Sequence, residues 1–318
     1  MNILIAIPGD DPPQLQGSPH LERLRARGDV VMHPDRPADD AEKLRRVQGA
    51  TCLINSRSAV KWPGPLLRQL PNLRMITVCG IGTDAIDTAT AKELGIAVCN
   101  VPGLTAPIVA EHALALMLAT ARRVCLQTEQ LRAGVWKTPD NIYLRGRTLG
   151  ILGVGPIGAE MARLGQAIGM RVQAWTFNPS ADRAKALGVP FVERDELLRT
   201  SDVVSIHVKL TKETRGLLGA RELALMKPGA LLVNTARGAI VDTPALVDAL
   251  NRGHLGGAGI DVYDIEPIPP DHPLLACRQV VLTPHVADQT PEGMEILNRG
   301  AVDNVLAFLD GMPINRVV

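Results

Sequence analysis

The run Thr148-Leu149-Gly150-Ile151-Leu152-Gly153-Val154-Gly155-Pro156-Ile157-Gly158, near the middle of the 318-residue chain, decides how the rest is read. A short, largely apolar segment that suits a buried strand runs straight into a G-x-G-x-x-G turn, and a helical pattern follows over 157–168. Each glycine has a physical task in that order. Gly153 permits the tight turn, Gly155 lets backbone approach a pyrophosphate, and Gly158 lets helix meet strand closely. A helix N-terminus supplies free N–H groups and the positive end of the helix dipole to such an anion. Pro156 suits the first helical turn, where its missing N–H costs nothing. The chain has 29 glycines, so the spacing alone is weak, and the strand–turn–helix context carries the inference. The alternative is a tight turn that binds nothing.

Working outward, short apolar runs alternate with helical segments in both directions. Strands are expected at Asn2–Pro8, Thr51–Asn55, Arg74–Cys79 and Ile96–Val101, with helices Leu21–Arg27, Ala38–Gln48, Gly64–Gln69 and Ile86–Leu94 between them. A long helix over 106–132 leads to further strands at Arg147–Leu152, Arg171–Trp175, Asp202–Val208, Ala230–Thr235, Gly257–Tyr263 and Val280–Thr283, and a final helix covers Pro291–Leu309. Such alternation implies parallel sheets with helices on both faces, and the length prior of roughly 150 residues per domain suggests two of them. The expected fold is therefore α/β, with two Rossmann- or flavodoxin-like doubly wound domains.

Composition agrees. Hydrophobic residues make up 46%, and 3 Trp, 2 Tyr and 3 Phe leave the core to Ala, Val, Leu and Ile, the palette of helices on parallel strands. With 34 basic against 33 acidic residues there is no electrostatic footprint for nucleic acid or an anionic membrane. Five scattered cysteines without metal-ligand spacing favour a reducing, cytoplasmic setting and no metal. The apolar start of the chain lacks a basic region and reads as a strand rather than a signal peptide. Glu111 and His112 inside the apolar helix 106–121 argue against a membrane span.

A ribose-binding acid about 20 positions past the first glycine is the mark of NAD selection. The strand Arg171–Trp175 ends instead in Thr176-Phe177-Asn178-Pro179-Ser180. Without that carboxylate a 2′-phosphate meets less repulsion, and Asn178 and Ser180 are available as donors. Arg183 is the nearest guanidinium, placed far along for a phosphate clamp. The cofactor reading is NAD or NADP, leaning to NADP.

Three later segments each place a charged or titratable residue just past a strand: Leu232-Val233-Asn234-Thr235-Ala236-Arg237-Gly238, Gly259-Ile260-Asp261-Val262-Tyr263-Asp264-Ile265-Glu266-Pro267, and Leu282-Thr283-Pro284-His285. Residues of these types can clamp an anionic group and deliver a proton. Arg237 has the planar fork that grips a carboxylate, and His285 can carry a proton near neutral pH. Glu266 would favour the imidazolium and orient the ring. Taken singly, each has a bland reading as a structural histidine, a loop acid and a surface arginine.

Together with Val78-Cys79-Gly80-Ile81-Gly82-Thr83-Asp84 and Val109-Ala110-Glu111-His112, these segments resemble the D-isomer-specific 2-hydroxyacid dehydrogenases, a family that includes glyoxylate/hydroxypyruvate reductases. The resemblance runs from Ile3 to the C-terminus. It implies Arg237, Glu266 and His285 as catalytic residues, and backbone N–H groups of Gly80, Ile81 and Gly82 as holders of a substrate oxygen. It also implies Thr235 and Ala236 along the cofactor, Asp261 at the nicotinamide carboxamide, and His207 near the cofactor, although Lys209 stands where the family usually has proline. It further implies a discontinuous substrate domain (1–101 plus 286–318), a dinucleotide domain (102–285), an active site in the cleft between them, and a homodimer with Trp136 on a helix packing against the partner. Glu266 argues against a formate dehydrogenase, which pairs its histidine with an amide. The rival reading is a dinucleotide-sensing scaffold of the corepressor type. A phosphotransferase is excluded because no G-x-x-x-x-G-K-[ST] occurs.

Overall fold

A computed structural model describes residues 3–318, so Met1 and Asn2, the start of the first expected strand, lie outside the described residues. The chain divides into two compact units, one running to Thr105 and resuming at Gln289–Val318, the other Ala106–Asp288. The divisions fall a few residues after those expected at 101 and 285, the first of them where a new helix begins at Ala106.

The first unit holds a parallel sheet of β1 (Leu4–Ile7), β2 (Asp29–Met32), β3 (Cys52–Ser56), β4 (Met75–Cys79) and β5 (Ala97–Cys99) in the order β2-β1-β3-β4-β5. β3 and β4 are buried along their whole length, as strands covered on both faces must be. One face packs on Leu297, Ala301, Val302 and Val305 of the C-terminal helix Pro291–Leu309, the other on Trp62, Leu66, Leu67 and Leu73. β2 was not expected from the sequence, because its four residues alternate between exposed and half-buried on the sheet edge.

The second unit holds β6 (Thr148–Leu152), β7 (Arg171–Trp175), β8 (Val203–Ile206), β9 (Ala230–Asn234), β10 (Leu255–Ile260) and β11 (Val280–Leu282), all parallel, in the order β11-β10-β9-β8-β6-β7. The chain goes from β6 outward to β7 and returns to the other side of β6 at β8. Order therefore reverses between β6 and β8, the place where open α/β sheets bind ligands beyond their carboxyl ends.

The long helix expected over 106–132 is two helices, Ala106–Ala121 and Val124–Arg132, separated by Arg123 in the left-handed region at φ 49°. Trp136 lies after the second helix in irregular chain rather than on a helix. The helix Ala106–Ala121 buries Ala110, Ala113, Leu116 and Met117 against the sheet of its own unit. It comes close because β10 carries glycine at the contact: a Cβ on Gly259 would stand 2.9 Å from Leu116 Cβ, and one on Gly257 2.9 Å from Thr120 Cγ2. Among the described residues no helix is long and apolar enough to cross a membrane.

Candidate active site

The turn after β6 separates the three glycines by cause. Gly153 sits at φ 95°, and a Cβ there would meet Val208 Cγ1 at 2.7 Å and His207 O at 2.8 Å. A Cβ on Gly158 would stand 2.0 Å from Gly153 O. Both are glycine because the protein itself leaves no room. Gly155 differs, since its backbone is ordinary (φ −71°) and nothing lies within 4 Å of a Cβ built on it. The open side of Gly155 faces away from the protein, and no side chain caps the helix Pro156–Ala167 that it begins. Pro156 takes the first helical position, and Ile157 packs half-buried against the core beneath. Uncapped N–H groups beside an open glycine fit a pyrophosphate.

At the end of β7, Trp175 and Phe177 meet edge to face with centroids 4.7 Å apart, and Thr176 stands where an acid would select NAD. Arg183 is nearer than its sequence separation suggests. Ser180 caps the helix Ala181–Leu187 by accepting from Arg183 N, and this turns the chain back. One Arg183 Nη then donates to Asn178 O at 2.9 Å and the other to Val154 O at 3.0 Å, inside the glycine turn. The guanidinium therefore lies against the glycine turn, closer than its place in the sequence suggests.

His207 follows β8, with Nε2 2.8 Å from Ser205 Oγ. Burial of the ring pushes its pKa down to about 4, so it is neutral near pH 7. After β9, Asn234 folds the next turn through its own side chain: Oδ1 accepts from Ala236 N and Nδ2 donates to Arg237 O, each at 3.0 Å. Thr235 is buried, and its hydroxyl has no hydrogen-bond partner among the described residues. An orphaned buried hydroxyl just past the carboxyl end of β9 suits a polar ligand edge.

Arg237 follows, one Nη donating to Ala236 O at 2.8 Å. The next residue, Gly238, packs backbone to backbone against the loop after β10, where a Cβ would stand 2.0 Å from Tyr263 C. That loop carries Glu266, whose Oε1 accepts from Tyr263 N at 2.9 Å while Oε2 lies 2.7 Å from His285 Nδ1. Burial pushes the Glu266 carboxyl up, but the hydrogen bond and charge of His285, the Tyr263 N–H and the charge of Arg237 together hold it below the usual carboxylate range. A charged Glu266 at Nδ1 fixes the orientation of the ring. The structure thus brings Arg237, Glu266 and His285 into one electrostatic group.

Asp261 is 0% exposed. Oδ1 accepts from Thr283 Oγ1 at 2.6 Å and Val286 N at 3.0 Å, and Oδ2 from Ala287 N at 3.0 Å. This carboxylate is therefore tied to the loop that carries His285.

In the first unit, the loop after β4 holds Gly80 at φ 153°, with its N–H turned to Val78 O and its carbonyl accepting from Val101 N. Asn100 Nδ2 donates to Ile81 O at 2.7 Å, which fixes the next peptide. Among the described residues the amides of Ile81 and Gly82 donate to no protein acceptor, whereas that of Gly80 is used.

Comparison with known proteins names this arrangement. Residues 114–287 match the family model described as D-isomer specific 2-hydroxyacid dehydrogenase, NAD binding domain. A glyoxylate reductase of Aeropyrum pernix is 44% identical over 79% of this chain and 78% of its own. The chain belongs to the D-isomer-specific 2-hydroxyacid dehydrogenases. Two solved structures cover it completely. One is an NADPH-dependent glyoxylate/hydroxypyruvate reductase of Sinorhizobium meliloti with NADP and malonate, 31% identical, TM-score 0.87 and 97% of that chain. The other is a D-lactate dehydrogenase of Aquifex aeolicus with NAD and lactic acid, 30% identical, TM-score 0.86 and 99% of that chain.

This D-2-hydroxyacid dehydrogenase is thus an oxidoreductase that acts on the CH–OH group of small 2-hydroxy acids with a nicotinamide dinucleotide. Its relatives are dehydrogenases and reductases, and the corepressor reading finds no support among them. Reading the dehydrogenase sequence missed three supports of the site. Asn234 shapes the Arg237 turn and Gly238 seats it, while Tyr263 donates its hydroxyl to Thr283 O at 2.9 Å, beneath the histidine. Glycine straight after the arginine was the one visible signal, and it marks a close backbone approach.

Proposed function

We propose that the chain reduces small 2-oxo acids, glyoxylate and hydroxypyruvate foremost, with NADPH preferred to NADH. The observation that carries this reading is the 2.7 Å pair of His285 and Glu266 in electrostatic contact with Arg237. Arg237 binds the substrate carboxylate through its fork. Bound reduced nicotinamide supplies the hydride to C2. His285 delivers the Nε2 proton to the forming alkoxide, and Glu266, charged at Nδ1, keeps the ring oriented. The glycine turn, Ile157 N–H and the Thr235 hydroxyl hold the dinucleotide, with Thr176 and Arg183 beside its adenosine ribose.

NADPH is favoured because Thr176 brings no negative charge and the Arg183 guanidinium has donors left for a 2′-phosphate. A homodimer is proposed through the segment 124–143, where Trp136 (86% exposed), Tyr143 and Leu131 lie open to solvent. A cytoplasmic location fits the five free cysteines.

The test is the oxidation of NADPH and NADH against glyoxylate, hydroxypyruvate, pyruvate and bulkier 2-oxo acids, with His285→Ala alongside. Turnover of the small acids, faster with NADPH and lost in His285→Ala, is expected. A His285→Ala enzyme as fast as the native one overturns the assignment of the proton donor.

A further inference from the structure

His112 has no part in the chemistry above, yet it is built into the support of His285. It lies on the helix Ala106–Ala121, one turn before Leu116, while Asp261 lies two residues beyond Gly259. The close approach of Leu116 to Gly259 therefore brings His112 onto Asp261. His112 Nε2 is 3.0 Å from Thr283 Oγ1 and 3.5 Å from Asp261 Oδ1. All these residues belong to one compact unit.

Proton counting gives the bonds a direction. Thr283 has a single hydroxyl proton, and Asp261 Oδ1 stands 2.6 Å from it. An ionised carboxylate only accepts, so Thr283 donates to Asp261 and its oxygen is left to accept. The partner at that oxygen is His112, which must carry a proton on Nε2. The chain His112 → Thr283 → Asp261 is thus polarised towards the buried carboxylate, and each bond strengthens the next.

The carboxylate at its end grips both sides of the proton donor. Thr283 lies two residues before His285, and Val286 and Ala287 follow it directly. Between them His285 stands at φ 56°, a left-handed conformation that a side chain with a Cβ adopts only when its surroundings impose it. Asp261 imposes it, and it has no contact with solvent to satisfy its charge by other means.

We propose that His112 is a positioning residue for the proton donor: by donating from Nε2 to Thr283 it locks the hydroxyl onto Asp261 and so holds the 283–287 loop in the conformation that sets His285 Nδ1 against Glu266. The inference rests on His285 as the proton donor, and it needs only the residues of this chain.

The test reads the His285–Glu266 bond directly in the full-length protein without cofactor, by the far-downfield NMR signal of the Nδ1 proton, assigned by its loss in His285→Ala. His112→Leu and Thr283→Val, which break the chain at two points, are expected to weaken or abolish the signal. In steady-state reduction they should lower kcat about tenfold with the KM for the dinucleotide unchanged. His112→Gln, whose amide can donate to the same oxygen, should restore the signal and most of kcat. Retention of the signal and of kcat in His112→Leu overturns the proposal, as does equal loss in His112→Gln, which would make the ring a packing element. Full activity of His285→Ala would instead refute the proton-donor assignment, so the two failures are separable.

Discussion

Replacing Gly155 by alanine separates binding from folding at a single methyl group. The backbone at Gly155 is one that alanine adopts freely, and the added Cβ meets nothing within 4 Å. The melting curve should therefore match the native one within about 0.5 kcal/mol. The methyl does enter the space through which a pyrophosphate approaches the N-terminus of the helix Pro156–Ala167. Losing one charge-assisted hydrogen bond there is worth about 1.5–3 kcal/mol, a tenfold to hundredfold weaker Kd. Gly158→Ala is the contrasting case. Its Cβ would stand 2.0 Å from Gly153 O, so helix and turn must part. A loss of about 3 kcal/mol or more is expected, lowering Tm by about 6 °C or more for a unit of this size. The assays are thermal unfolding by circular dichroism and titration of NADPH by its fluorescence. Native-like NADPH affinity in Gly155→Ala would refute the placement of the pyrophosphate, whatever happens to Gly158→Ala.

Thr176→Asp should shift preference towards NADH by about tenfold to hundredfold in the ratio of kcat/KM values, because a carboxylate accepts from a ribose hydroxyl and repels a 2′-phosphate. Glu266→Gln should lower kcat for reduction by about tenfold to hundredfold while the KM for the dinucleotide stays as it was. Because the folded-state pKa of Glu266 lies below its ordinary value of 4.5, its charge stabilises the fold above that pH and ceases to as pH falls through the lower folded value. Glu266→Gln should therefore lose Tm less steeply than the native protein below pH 4.5. His207 has the opposite charge preference, neutral rather than ionised when folded, with the same outcome on acidification. It stays neutral when folded down to about pH 4 but takes up a proton below pH 6.5 when unfolded, so stability declines across that window by at most about 3 kcal/mol. His207→Asn should flatten urea-unfolding free energies between pH 6.5 and 4, and an unchanged slope would refute the assignment.

The fold was legible wherever strands are buried on both faces. β3, β4, β8 and β9 are largely apolar and buried along their whole length, and the glycine turn marked where one of the sheets binds its ligand. β2 escaped notice because it is an edge strand of only four residues, and its short apolar run Val30–Met32 leaves Val31 in solvent, without the apolar–polar alternation that marks a half-buried strand. The break between Ala121 and Val124 was equally silent, since Arg123 is an ordinary helix former and its left-handed turn arises from tertiary context. At the site, residue types announced Arg237, Glu266 and His285 through their chemistry. The inward turn of Asp261 and the backward reach of Arg183 depend on loop paths, which spacing does not record.

Gly238 gives the site a mechanical character. Because the backbone after Arg237 rests directly on that of Tyr263, with no side chain between them, the spacing of the loops that carry Arg237 and Glu266 is set by main chain rather than by anything a surface substitution alters. Side chains on the outer faces of these two loops can therefore vary while the join itself is inherited intact. A Cβ at position 238 would force the loops apart, so the join rests on the absence of a side chain.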